Sequence, residues 1–520
     1  MKLLEFENEM PYDFSVPEHI RNQQSALNRV NATLGKEYSN IAGGLEVYTE
    51  KKTKSFNPAN YNQLIGIFQK GGREDADKAI RAASSAFEMW KYTAPKARAS
   101  VLFKAAKGIR ERRYEINAWM ILEAGKNYWE ADADVCEAVD FLEFYGREAL
   151  RYSENQPSTF HPGEKNSYFY IPLGVGLSIP PWNFPFAIMV GISSAAIVTG
   201  NTVVLKPSSE TPMMAWLFAD IMKKAGLPDG VLNYFVASGA EAGDYMVEHP
   251  LVRFITFTGS MEVGLRINEL AARKSEGQIW IKRVVAEMGG KDTIIVDSEA
   301  DVDLAVSGVV TSAYGFQGQK CSACSRVVVD DEVYDEFVDN LKIEVEKIKV
   351  GDPADNYRGG PVISAAAEKS ILEYIEIGKK EGKLLCGGNK FLGLEGYFIQ
   401  PTVFIDVEPM ARISQEEIFG PVLTVIKSRG YDESLRIANN TVYGLTGAVY
   451  SNNHYKLSRA IKEFYVGNLY FNRKCTGALV NVHPFGGFNM SGTDSKAGSR
   501  DYLLLFLQGK SVSEKIIKSL

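Results

Sequence analysis

The segment Gly315-Phe316-Gln317-Gly318-Gln319-Lys320-Cys321-Ser322-Ala323-Cys324 sets a thiol beside an amine in a turn of small residues. A thiol is a weak nucleophile until it loses its proton, and a neighbouring cation favours the thiolate. Adjacency alone makes Lys320 that cation and Cys321 the candidate nucleophile. The stretch also reads C-x-x-C. A structural zinc site needs a second ligand pair, and His19, His161, His249, His454 and His483 supply none at ligand spacing, so no metal is expected. A redox dithiol lacks its usual βαβ setting, and a thiol hydrolase lacks a histidine in a catalytic motif.

Four further segments can carry chemistry. Phe257-Thr258-Gly259-Ser260-Met261 ends a strand and opens a helix, where free N–H groups and the helix dipole receive an anion; alternatively Gly259 serves turn geometry alone. Val204-Leu205-Lys206-Pro207 puts a lysine at the carboxyl end of a buried strand, where ligands of open α/β sheets bind; it either reaches a ribose or phosphate or is simply solvated. Pro180-Pro181-Trp182-Asn183-Phe184-Pro185 fixes the backbone around one amide. Asn183 then either donates to an oxyanion or caps the following helix. Glu287-Met288-Gly289-Gly290-Lys291 offers a carboxylate that is a general base if burial raises its pKa, and otherwise a salt-bridge partner.

These groups need a scaffold. From Arg73 to about Leu150 the apolar positions Ala76, Ala79, Ile80, Ala83, Phe87 and Trp90 recur at helical steps. From Ser167 to Ser260 strands such as Thr202–Leu205 and Phe254–Phe257 alternate with helices such as Met213–Ala225, the texture of a parallel α/β sheet. A second α/β series runs from Thr293–Val296 to about Val449, with strands at Ser325–Val329, Thr402–Ile405 and Val422–Ile426. The fold class is therefore α/β, two parallel-sheet domains joined near Glu287–Lys291. Residues 1–45 read as a helix and an irregular lead-in.

The 520 residues, 45% hydrophobic and 23% charged, suit two or three ordinary globular domains. A net charge of −6 gives no reason to expect nucleic acid or an anionic membrane as partner. Five cysteines, Cys136, Cys321, Cys324, Cys386 and Cys475, are too few and too odd for a disulfide framework and suggest a reducing, cytoplasmic setting. The start Met1-Lys2-Leu3-Leu4-Glu5 turns acidic at once, so no secretory leader is expected, and the most apolar stretch, Pro185 to Val198, is too short to span a bilayer.

Taken in order, Pro181-Trp182-Asn183-Phe184-Pro185, Lys206-Pro207, Phe257-Thr258-Gly259-Ser260, Glu287-Met288-Gly289-Gly290-Lys291, Gly318-Gln319-Lys320-Cys321, Glu417-Ile418-Phe419-Gly420-Pro421 and Pro484-Phe485-Gly486-Gly487 resemble the aldehyde dehydrogenase superfamily over about residues 45–510. Gly318 to Arg326, Gly467 to Lys474 and Thr476-Gly477-Ala478-Leu479-Val480 are similar to its members that oxidise L-glutamate γ-semialdehyde, the product of 1-pyrroline-5-carboxylate ring opening, to L-glutamate in the second step of proline degradation.

The resemblance implies that Cys321 adds to the aldehyde, that Asn183 and the Cys321 N–H hold the oxyanion, and that Glu287 activates the water that hydrolyses a thioester. It implies NAD as cofactor, contacted by Lys206, Ser209, Gly259, Ser260, Glu417, Phe419, Pro181 and Trp182. It assigns Ser322, Gly477 and Ala478 to the substrate carboxylate, Phe184 and Phe485 to its aliphatic part, and adds Lys320 and Glu137 to the substrate contacts. It implies an aldehyde-dehydrogenase-like architecture: an N-terminal extension at 1–45, an NAD(P)-binding domain at 46–154 and 174–287, a catalytic domain at 288–490, and a β-hairpin oligomerisation arm at 155–173 with a C-terminal tail at 491–520. Tyr502–Ser513 is then the tail strand of a homodimer or an assembly of dimers.

One departure is Ser209. Many NAD-preferring members carry Glu there, and this chain has Glu210 one place on. Some tolerance of NADP follows. Another semialdehyde dehydrogenase with a different acid-bearing substrate is the nearest rival; a cofactor-free thiol esterase or non-catalytic binding protein is a rival of another class.

Overall fold

The computed structural model describes residues 4–237 and 239–516; residues 1–3 and 517–520 of the expected extension and tail lie outside the described residues. Two seven-stranded sheets organise the chain. The first runs Arg283–Glu287, Val252–Thr258, Val175–Ile179, Thr202–Leu205, Leu232–Tyr234, Asn40–Ala42, Leu45–Val47. Its first five strands are parallel and its last two pair antiparallel. The second runs Lys383–Cys386, Thr402–Ile405, Val422–Ser428, Cys324–Asp330, Asp292–Val296, Thr446–Tyr450, Asn468–Phe471, parallel but for Lys383–Cys386. The chain crosses between sheets within Met288–Lys291, between strands ending at Glu287 and starting at Asp292.

Strand interiors such as Val203-Val204-Leu205 and Ile294-Ile295-Val296 are apolar throughout because helices cover both faces. Helix Ala187–Val198 is buried at every position except Ile188, as expected of a helix apolar all round and packed inside a protein. It lies against helix Tyr128–Tyr152, itself packed on Pro95–Glu111. Among the described residues no helix is long and apolar enough to cross a membrane.

Two expectations are corrected, the irregular lead-in and the start of the tail strand. The lead-in after helix Pro17–Asn31 is regular: Lys36–Tyr38 pairs with the hairpin Lys52–Asn57 and Asn60–Gln69, and Asn40–Ala42 enters the first sheet. Phe14 and Leu27 of the N-terminal extension pack into the core around the first sheet. The arm joins the C-terminal tail as a ribbon, Glu164–Pro172 antiparallel to Leu507–Lys515 and continuous from Leu507 opposite Pro172 to Lys515 opposite Glu164, with an antiparallel bridge of Gln156 to Tyr168 inside the arm. Finally, Tyr502–Phe506 forms a 3₁₀ turn before that strand, because Tyr502, Leu503 and Phe506 are buried together, which alternation cannot achieve.

Candidate active site

Cys321 lies in the turn between a 3₁₀ segment, Gly315–Gly318, and strand Cys324–Asp330. Phe316, Gln317 and Gly318 all have positive φ, 49°, 55° and 67°. A Cβ on Gly318 would collide with the Gly420 carbonyl, so this position requires glycine. Three successive left-handed residues cost conformational energy that neighbouring contacts must offset. Gln319 supplies one: its amide donates to Pro361 O at 3.3 Å and its carbonyl accepts from Ile363 N at 2.9 Å.

The turn delivers Cys321 to the junction of two cavities. One, of about 540 Å³, is lined by Pro181, Trp182, Asn183, Lys206, Ser209, Glu210, Gly259, Ser260, Glu417 and Phe419. The other, of about 110 Å³, is lined by Glu137, Phe184, Glu287, Ser322, Gly477, Ala478 and Phe485. Cys321, Thr258 and Met288 line both. Residues read from distant motifs thus form two continuous walls around one sulfur.

Gly289 and Gly290 let the halves approach. A Cβ on Gly289 would overlap the Glu417 carboxylate, and one on Gly290 would sit 2.6 Å from the Cys321 carbonyl oxygen. Gly290 N donates to Glu417 Oε1 at 3.1 Å. Burial raises the Glu417 pKa to about 7, opposed by that N–H and by Lys291. Phe419, at φ 56°, meets Trp182 edge-on with centroids 5.4 Å apart.

Several open readings now close. Asn183 does not cap the following helix, whose first N–H, at Ala187, donates to Asp134 Oδ1 at 2.5 Å. Its Nδ2 instead donates to Gln319 O at 3.0 Å, beside the nucleophile turn, and retains a second proton. Lys206 is 8% exposed and therefore not a solvated strand-end lysine; burial lowers its pKa to about 8. Ser260 caps helix Met261–Ala272. Glu287 ends its strand and makes no ion pair among the described residues. Its carboxylate accepts from Ser495 Oγ and, at 3.4 Å, from Gly487 N. Burial raises its pKa to about 8 against both bonds.

Burial also pushes the Cys321 thiol well above its ordinary value, and the carboxylates Asp292, Glu417 and Glu287 add to that. Lys320 does not counter them. Its Nζ lies 2.8 and 3.0 Å from the two oxygens of Glu130, and Lys320 lines neither of the two cavities. Glu130, an early residue of helix Tyr128–Tyr152, is its ion-pair partner, and Lys320 Nζ also lies 6.0 Å from the centre of the Phe184 ring that lines the smaller cavity.

Burial, then Asp134 and Asp140, raise the Glu137 pKa to about 8. Gly477, at φ 76°, adopts a turn conformation that Cβ-bearing residues resist. Cys324 is buried in the second domain's core.

Some of the site was not anticipated. Lys126 and Asp134 form a pair at 2.7 Å with no exposure on either side chain, and Lys126 Nζ sits 4.0 Å from the Phe184 ring centre. Ser495 and Lys496 surround Glu287. Phe141, Tyr145, Ile188 and Tyr502 complete the smaller cavity. A helical stripe marks Phe141 and Tyr145, but Ser495 carried no sequence signal. Among the described residues no three His, Cys, Asp or Glu side chains gather in a metal-holding group.

A family model described as "Aldehyde dehydrogenase family" matches residues 47–512. The chain is 56% identical over 503 residues to a 1-pyrroline-5-carboxylate dehydrogenase of Geobacillus thermodenitrificans (strain NG80-2), covering 96% of this chain and 98% of that one. It is 52% identical over 505 residues to 1-pyrroline-5-carboxylate dehydrogenase 2 of Bacillus subtilis (strain 168), covering 96% and 98%. The solved structure of a Thermus 1-pyrroline-5-carboxylate dehydrogenase with bound NAD superposes with a TM-score of 0.98 at 48% identity, covering 99% of this chain and 100% of that one.

Proposed function

Since this chain belongs to the aldehyde dehydrogenase family, we propose that it oxidises L-glutamate γ-semialdehyde to L-glutamate with NAD as hydride acceptor. The observation that carries this reading is Cys321 at the junction of two cavities, the larger lined by Lys206 and Glu417, the smaller by Ser322, Gly477 and Ala478.

The residues present fit a dinucleotide. Lys206 is a desolvated cation for ribose hydroxyls or phosphate. Gly259 and Ser260 open a helix whose N-terminus suits the pyrophosphate. Glu417 would accept ribose hydroxyls, and the Phe419–Trp182 ring pair would wall the nicotinamide end. NAD, when bound, takes up the hydride whose departure turns the adduct on Cys321 into a thioester.

The protein's own groups perform the remaining steps. The Cys321 thiol releases its proton to solvent water and the sulfur adds to the aldehyde carbon, giving a thiohemiacetal whose oxygen carries the negative charge until the hydride leaves. The free proton of the Asn183 amide and the Cys321 backbone N–H meet the developing oxyanion. A thiolate is a fair leaving group, so the thioester can be resolved. Glu287 takes a proton from water, hydroxide oxygen adds to the thioester carbon, and the C–S bond breaks to release the acid. A carboxylate base suits this site because a histidine cation would pair with the thiolate. Ser322 and the Gly477-Ala478 backbone receive the substrate α-carboxylate, Glu137 faces its α-amino end, and Phe184 and Phe485 hold the chain between.

Steady-state NADH formation tests the reading. Faster turnover of succinate semialdehyde than of glutamate semialdehyde overturns the substrate, and ester hydrolysis without any NADH-forming aldehyde turnover overturns the dehydrogenase reading. The ribbon of Glu164–Pro172 with Leu507–Lys515 leaves most of its tail strand exposed, which suits a homodimer contact. The five free cysteines suit the reducing cytoplasm.

A further inference from the structure

We propose that Ser495, aided by Lys496, is a positioning residue that holds the Glu287 carboxylate in place for water activation and favours its ionised form. This rests on Glu287 being the base. Ser495 is 3% exposed and its Oγ donates to Glu287 Oε1. The segment Phe485–Gly498 closes on itself through a bridge between Phe485 and Ala497 and wraps the carboxylate. Gly487 N reaches one carboxylate oxygen, and Gly492 bridges the Glu287 backbone. A Cβ on Gly492 would sit 3.2 Å from Glu287 Oε2, so the cradle leaves no spare room.

Lys496 stitches the cradle together. Its Nζ donates to Gly467 O at 2.8 Å and to Gly486 O. It is the cation among the titratable groups facing Glu287. Asp494 comes from the same segment, Cys321 from the nucleophile turn, Tyr502 from the C-terminal segment and Glu137 from helix Tyr128–Tyr152. Burial favours the protonated acid, which cannot activate water. A hydroxyl donor and a nearby ammonium both favour the carboxylate. Ser495 therefore offsets what the closed cavity does to its own base.

The sign follows. Without the Ser495 donor the Glu287 pKa rises, and the ionised fraction at neutral pH falls. In the full chain with NAD and glutamate semialdehyde, Ser495→Ala is expected to lower kcat at neutral pH by about tenfold, the effect of one unit of pKa. Activity recovers on the alkaline side, and a pre-steady-state burst of NADH appears as thioester hydrolysis becomes limiting. Ser495→Thr restores the profile. Ser495→Cys, nearly isosteric but a weak donor, shifts the profile the same way and serves if the alanine variant fails to fold. A uniform loss at every pH, or an unchanged profile, overturns the role of Ser495. Glu287→Gln separates the two readings: if it turns over at the parental rate, the base assignment itself falls, whereas an inactive Glu287→Gln beside an unshifted Ser495→Ala removes only the positioning role.

Discussion

Lys320 and Cys321 are neighbours in the chain that serve different partners: the Lys320 ammonium pairs with both oxygens of Glu130, while the Cys321 sulfur faces the junction of two cavities. The thiol thus lives among carboxylates, and the fold by itself keeps it protonated. A cation near the sulfur has to come from a ligand, and the nicotinamide ring of NAD is one. Alkylation of Cys321 by iodoacetamide at neutral pH is expected to be slow alone and faster with NAD. Lys320→Met should leave the pH dependence of alkylation in place while costing about 1–3 kcal/mol of stability, since Glu130 loses its partner. A shifted alkylation profile in Lys320→Met would restore Lys320 as the tuning cation.

The two cysteines of the turn should separate cleanly. Cys321→Ala is expected to abolish NADH formation. Cys324→Ala removes a buried sulfur from the second domain's core and should cost about 1 kcal/mol in denaturant unfolding with activity retained. Loss of activity in a folded Cys324→Ala protein contradicts this division.

The Lys126–Asp134 pair lies behind Phe184 and is closed to solvent. Lys126→Met leaves a buried carboxylate without its cation, a loss of about 3–5 kcal/mol. Asp134 also holds the Ala187 N–H. Asp134→Asn keeps that acceptor without the charge, so Lys126→Met with Asp134→Asn should recover much of the stability. Thermal unfolding of the single and double variants measures it, and a double variant no better than Lys126→Met refutes the account.

Ser209 and Glu210 both line the larger cavity. A carboxylate at 209 would bind ribose hydroxyls and repel a 2′-phosphate; serine does neither strongly. NADP should therefore be used with a kcat/KM less than about 10⁴-fold below that of NAD. Ser209→Glu should suppress NADP and spare NAD. If the parental protein already rejects NADP, Glu210 performs the exclusion.

What could be read beforehand depended on how local the reason was. Asn183, Lys206 and Glu287 each left a structural reading open in its own window, and together with Cys321 they took on roles only through the order in which their segments follow one another along the chain. The ion pair of Lys320 was not legible, because its partner, Glu130, lies on a helix far along the chain, and adjacency to Cys321 said nothing about direction. Ser495 was silent because a serine among glycines looks like any turn. The hairpin Lys52–Gln69 was missed because its first strand buries Ser55 and Asn57 in place of an apolar row. The parallel strands were plain, being apolar on both faces, whereas the tail's Tyr502–Phe506 run disguised a turn as the start of a strand.

Tyr502 lines the smaller cavity, and the chain leaves it directly for the ribbon strand Leu507–Lys515. Arg283, on the strand that ends in Glu287, fastens this stretch by donating to the carbonyls of Leu504, Leu505 and Leu507. The route from the outermost ribbon to the wall of the reaction chamber is therefore a single covalent span, anchored by the Arg283 guanidinium and by Asn201, whose amide donates to Phe506 O at 2.9 Å. A load applied at the ribbon, such as a fused domain or a surface tether, is transmitted to the floor under the base, making turnover itself a gauge of how the tail is seated.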